Sequence, residues 1–154
     1  MEQAVEKPST HPMRRLARLA AVQGLYQLAL APESPEALIR RFHTDPTVLL
    51  QEEHSSIEVD ADLFGQIIAG VSDNMQNLDT MVAGAVDARL SPDRMEPLLK
   101  AILRAGAFEL LHRGDTAAGI IVNDYIDVAH SFFDAKEPGL VNAILDRLAK
   151  NLRT

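Results

Sequence analysis

The sequence predicts an all-α protein built from helical bundles. Apolar residues recur at three- and four-residue spacing from about Pro12 to Leu152, and no segment alternates apolar and polar residues as a half-buried strand does. Helix-start signals, a serine followed by proline and then an acid, occur at Ser34-Pro35-Glu36 and Ser91-Pro92-Asp93. A hydrophobic content of 47 % over 154 residues excludes a disordered chain and suits one domain with a sizeable core. The expected architecture is roughly six to eight helices with short connections.

Residues 1–11 lack periodicity and read as a flexible tail, leaving 12–154 as the domain. The first helix runs from about Pro12 to Leu30, with Leu19, Val22, Tyr26 and Ala29 as its apolar row, and Ala31-Pro32 ends it. Ser34 caps a short helix carrying Leu38, Ile39 and Phe42. Residues 44–58 are polar and read as a loop. Asp60 or Asp62 caps a long segment with Phe64, Ile67, Ile68 and Val71, continuing through Leu78, Met81, Val82 and Val86 with a bend near Ser72.

Ser91-Pro92 opens the next helix, which carries Met95, Leu99, Ile102, Gly106 and Leu110 and ends near Arg113-Gly114. Two parallel rows follow: Ile121, Tyr125, Val128, Phe132 and Val122, Ile126, Ala129, Phe133. A face that wide requires burial on two sides. Asp134 to Pro138 read as a break. Gly139 to Leu152 form the last helix, facing inward with Leu140, Val141, Ile144, Leu145 and Leu148.

Several classes of function lack support. No apolar run is long enough to span a membrane, and Glu2 and Glu6 stand where a signal peptide needs positive charge, so the cytoplasm is the expected compartment. Without cysteine there are no disulfides, thiolate metal sites or cysteine nucleophiles. The five histidines show no H-x-x-x-H or H-E-x-x-H spacing and read as surface or helix-end residues. There is no glycine-rich phosphate loop and no nucleophile elbow. The carboxylates at Asp60, Asp62 and Asp93 suit helix caps. The expectation is binding rather than catalysis, with no cofactor.

One basic cluster stands out. The chain's net charge is −7, yet Lys7, Arg14, Arg15 and Arg18 give the stretch 7–18 a charge of +4, leaving −11 elsewhere. The arginines open a helix, where the macrodipole makes cations unfavourable by a few tenths to about 1 kcal/mol. Spacings of three and four put Arg14 and Arg15 on one face with Arg18. A cluster maintained against the dipole points to a polyanion; the plainer alternative is a solvated helix start. An acidic remainder excludes general coating of nucleic acid and restricts such contact to a patch.

Arg104 lies on a strongly apolar helix beside Ala105, Gly106 and Ala107, whose small size lets another element approach. It suits either an ion pair with an acid such as Asp146 or Glu109, or a phosphate or partner contact. Gln23 and Tyr26 lie one and two turns beyond Arg18; Tyr26 suits either the core or a stacked base.

Four segments in order resemble one family: Arg14-Arg15-Leu16-Ala17-Arg18 with Ala21-Val22-Gln23-Gly24-Leu25-Tyr26; Leu99-Lys100-Ala101-Ile102-Leu103-Arg104-Ala105-Gly106-Ala107-Phe108-Glu109-Leu110-Leu111; Ile121-Val122-Asn123-Asp124-Tyr125-Ile126-Asp127-Val128-Ala129; and Leu140-Val141-Asn142-Ala143-Ile144-Leu145-Asp146. Over residues 13–152 the chain is similar to the bacterial transcription antitermination factors of the NusB family. The resemblance implies two small perpendicular helical bundles of about seven helices. It implies pairing with NusE, a small-subunit ribosomal protein, and binding of single-stranded boxA RNA in ribosomal RNA leader transcripts within an RNA polymerase antitermination complex. It carries RNA contact to Arg14, Arg15, Arg18, Gln23, Tyr26, Arg104 and Lys136.

Leu16 stands where some members carry another arginine, and Gly139-Leu140 replaces a common lysine-phenylalanine; Lys136 restores the charge. Asn142 and Asp146 are expected to organise the last helix. The segment from Val86 to Leu99 is the expected protein-partner surface. The alternative is a NusB-like module serving another rRNA-processing or rRNA-modifying machinery. A chain ending two residues after its last helix disfavours a fused methyltransferase.

Overall fold

The computed structural model describes residues 11–51, 58–86, 94–134 and 136–153. Within them the chain forms seven α-helices and no strand: α1 (His11–Leu30), α2 (Pro35–Thr44), α3 (Ala61–Asp73), α4 (Met75–Ala85), α5 (Pro97–His112), α6 (Ala118–Phe132) and α7 (Lys136–Leu152). A 3-10 turn, Pro46–Val48, follows α2. The expected tail, apart from His11, lies outside the described residues.

Local chemistry sets several boundaries. Ser34 Oγ accepts from the Ala37 N–H at 3.1 Å and starts α2. Asp60 Oδ1 accepts from the Leu63 N–H at 2.9 Å, so Asp60 rather than Asp62 caps α3. The expected bend near Ser72 is a full break between α3 and α4. Asn74 sits at it, donating through Nδ2 to the Gly70 carbonyl at 2.8 Å. α5 begins later than the Ser91-Pro92 signal, at Pro97 after Glu96; residues 87–93 lie outside the described residues. α7 begins earlier than Gly139. Lys136 is its first residue and Pro138 lies in its first turn, where a missing N–H breaks no helical bond.

α5 is the central helix. It packs against α1, α3, α4, α6 and α7, and burial of its Ala101, Ala105, Gly106 and Ala107 lets those neighbours come close. Gly106 shows how close: a Cβ there would lie 2.7 Å from Leu145 Cδ1 of α7. α1 rests on α3, α5 and α6, and α7 rests on α4, α5 and α6. Phe42 of α2 stacks on Phe64 of α3, ring centroids 3.9 Å apart.

The apolar row expected for α1 is displaced. The buried residues are Leu16, Ala17, Arg18, Ala20, Ala21, Val22, Gly24 and Leu25, whereas Leu19 and Tyr26 are half-buried and Ala29 is exposed. The reason is contact with three helices at once. Small residues (Ala17, Ala20, Ala21 and Gly24) fill the tight approaches, and Leu16, Arg18, Val22 and Leu25 are buried beside them, so the buried face is wider than one row. None of the helices is long and apolar enough to cross a membrane.

Candidate nucleic-acid interface

The first turns of α1 are surrounded by acid from other parts of the chain. α1 has no acidic residue in its own first turn. Its positive end and its arginines meet Asp60 before α3, Glu109 of α5, and Asp124 and Asp127 of α6. Tertiary partners thus supply the negative charge that the dipole requires and the local sequence omits.

Arg18 is the deepest of these residues. Its side chain has 0 % exposure. It donates from Nε to Glu109 Oε2 at 2.8 Å, from Nη2 to Glu109 Oε1 at 3.0 Å and from Nη1 to Asp124 Oδ2 at 2.7 Å. Tyr125 donates its hydroxyl to Glu109 Oε2 at 2.6 Å, and Arg113 Nε lies 3.6 Å from Glu109 Oε1. Burial, then the neighbouring Glu109 carboxylate, pushes the Tyr125 phenol well above its ordinary 10.0. The sequence reading expected RNA contact at Arg18; the structure places its side chain inside the fold. Arg18 does not present a surface with Arg14 and Arg15; it points into the junction of α1, α5 and α6, where a buried guanidinium needs carboxylate partners.

Arg14 and Arg15 lie further out. Arg15 is half exposed and donates from Nη2 to Asp127 Oδ2 at 2.8 Å, with its Nε 3.8 Å from Asp124 Oδ1. Arg14 Nε lies 3.5 Å from Asp60 Oδ2, and the Asp60 N–H donates to the Met13 carbonyl at 3.1 Å. His11, assigned to the tail from the sequence, is the first residue of α1, and its Nε2 lies 2.9 Å from Asp124 Oδ1. Sequence reasoning gave no role to Asp124 or Asp127 in pairing the arginines, and it offered Glu109 to Arg104 rather than to Arg18. The available signal was a charged residue within each apolar pattern of α5 and α6, which demands a partner.

Two hollows lie along α1, the first against α6 and the second against the 3-10 turn, Leu98 and Phe132. The first, about 280 Å³, is lined by Arg15, Leu19, Asp127, Val128 and Ser131, among others. The second, about 470 Å³, holds Gln23, Tyr26, Leu30, Val48, Leu98 and Phe132. Gln23 Oε1 is shielded there without a hydrogen-bond partner among the described residues. Arg15 thus lines the first hollow, between α1 and α6, and Gln23 and Tyr26 line the second, further along α1.

Arg104 is elsewhere. It grips Asp79 of α4 with two bonds, Nε to Oδ1 at 2.7 Å and Nη2 to Oδ2 at 2.8 Å. Its acid is neither Asp146 nor Glu109, because α5 turns Arg104 toward α4 and Glu109 toward α1. Lys136 is exposed at the start of α7. Within the expected protein-partner segment, residues 87–93 lie outside the described residues.

A sequence model of the NusB family matches residues 15–150. The chain belongs to the NusB family. It is 36 % identical over 151 residues to the transcription antitermination protein NusB of Sinorhizobium fredii, covering 95 % of this chain and 94 % of the relative. It is also 36 % identical over 150 residues to that of Maricaulis maris, covering 96 % and 94 %. The fold matches T. maritima NusB with a TM-score of 0.72 at 22 % identity, over 97 % of this chain and 95 % of the other. It also matches a structure of the antitermination factors NusB and NusE with dsRNA, with a TM-score of 0.72 at 20 % identity, over 89 % and 96 %. These likenesses confirm the all-helical NusB fold.

Proposed function

We infer that this chain is a transcription antitermination factor that binds boxA RNA of ribosomal RNA leader transcripts together with the ribosomal protein NusE. Family membership supports the role, and one observation carries its placement: Arg15 stays half exposed at the head of the α1–α6 seam. Arg14 and Arg15 supply phosphate contacts, and Gln23 and Tyr26 further along α1 offer a polar and an aromatic contact for an unstacked base. Lys136 adds a peripheral cation. Arg104 is better suited to packing, because Asp79 engages it at two points. The remaining acidic charge favours a basic protein partner. The work done is binding, in the cytoplasm, without a cofactor.

The test is binding of a labelled boxA oligonucleotide and a scrambled one to the chain with NusE, across a salt series. Arg14→Ala with Arg15→Ala should weaken boxA binding. It should also reduce the salt slope by about 0.7 for each phosphate of single-stranded RNA that is no longer neutralised. Unchanged affinity in a folded double variant rejects the reading.

A further inference from the structure

We propose that Asp127 is an intramolecular competitor for RNA phosphate at Arg15 and thereby sets the affinity of the interface. The proposal rests on the RNA-binding reading above. Arg15 and Asp127 come from α1 and α6, 112 residues apart, and meet at 2.8 Å with half of each side chain exposed. A carboxylate and a phosphate offer a guanidinium the same geometry, charged oxygens accepting N–H bonds. A phosphate reaching Arg15 must therefore displace Asp127 or share the cation with a like charge.

Asp124 does not fill this role. It is almost wholly buried, and its oxygens already serve Arg18 and His11. Asp127 differs because it is exposed and its side chain is bonded to Arg15. Its main-chain carbonyl separately accepts from Ser131 Oγ at 3.3 Å, so replacing the carboxylate leaves that bond in place. Releasing an exposed ion pair of this kind is a modest step, so the competitor tunes affinity without blocking the site.

The experiment is a double-mutant cycle on the full chain with NusE, read by titration of labelled boxA and scrambled oligonucleotides. Asp127→Asn should tighten binding of both RNAs about two- to fivefold, since one exposed pair is removed. Asp127→Glu, which keeps the charge within reach of Arg15, should bind as the parent does. In an Arg15→Ala background, Asp127→Asn should give no gain. A gain that survives without Arg15, or no gain in the parent although Arg15→Ala weakens binding, overturns the competitor assignment. If Arg15→Ala changes nothing in either background, the RNA reading at Arg15 fails instead, and the competitor assignment with it.

Discussion

Arg18 and Glu109, separated by 91 residues in sequence, form a two-point ion pair in which neither side chain is exposed. Asp124 and Tyr125 of α6 complete the cluster, so one guanidinium joins α1, α5 and α6. The cluster holds the start of α1 against α6, and that position brings Arg15 to the seam. A buried network of this kind is stable only while its members remain satisfied.

Arg18→Ala should destabilise the fold by about 3–5 kcal/mol, because Glu109 and Asp124 are left buried without their cation. Arg18→Lys should recover only part of this, since an ammonium does not reproduce the two-point grip. Urea unfolding of both variants checks the order; equal stability of Arg18→Ala and the parent would remove the cluster from any structural role.

Tyr125→Phe should cost about 1–3 kcal/mol near neutral pH through loss of the bond to Glu109. Its pH dependence has a definite sign. The folded phenol titrates well above 10.0 because of burial first and Glu109 second, whereas the unfolded phenol loses its proton near that value. Above pH 10 the unfolded state holds fewer protons than the native state, and stability falls. The Tyr125 contribution is therefore complete below pH 10 and lost as the pH rises beyond it. The stability gap between parent and Tyr125→Phe should narrow above pH 10 in denaturant titrations; a constant gap contradicts the assignment.

Gly106→Ala should destabilise despite the better helix propensity of alanine. The added Cβ would stand 2.7 Å from Leu145 Cδ1, and overpacking of about 1–3 kcal/mol outweighs a propensity gain of about 1 kcal/mol. Gly139→Ala in α7 meets open space and should stabilise by up to about 1 kcal/mol. Melting temperatures that shift in the same direction for both would refute the close α5–α7 approach.

Arg153 closes the other end of α5. It donates to the carbonyls of Glu109, Leu110 and Arg113, at 3.2, 3.0 and 2.7 Å, adding to the capping bond that Glu109 already accepts from the Arg113 N–H. A cation there also complements the negative end of the dipole. Arg153→Ala should cost about 1–3 kcal/mol, appearing as faster amide exchange in the last turn of α5. Exchange unchanged from the parent would show the cap to be dispensable.

Local signals in the sequence are legible where their partners are near. Ser34 and Asp60 cap helices through bonds three residues away, and the small residues around Gly106 announce a close neighbour. The wide face of α6 requires burial on two sides, and it packs against both α5 and α7. The apolar row of α1 is harder to place, because periodicity picks out one row whereas packing against three helices buries a wider face that includes alanines, a glycine and Arg18.

By itself the sequence determined the all-α class, most helix boundaries, the family resemblance and the basic start of α1. These depend on short-range hydrogen bonding, helical period and composition. Only the tertiary structure decided which arginines face outward. Arg14, Arg15 and Arg18 share a short stretch of one helix, but Arg18 is claimed by carboxylates 91 and 106 residues away while Arg15 remains half exposed beside Asp127. Charge pairing across helices is a long-range outcome of packing, and no local pattern around an arginine specifies which acid will reach it.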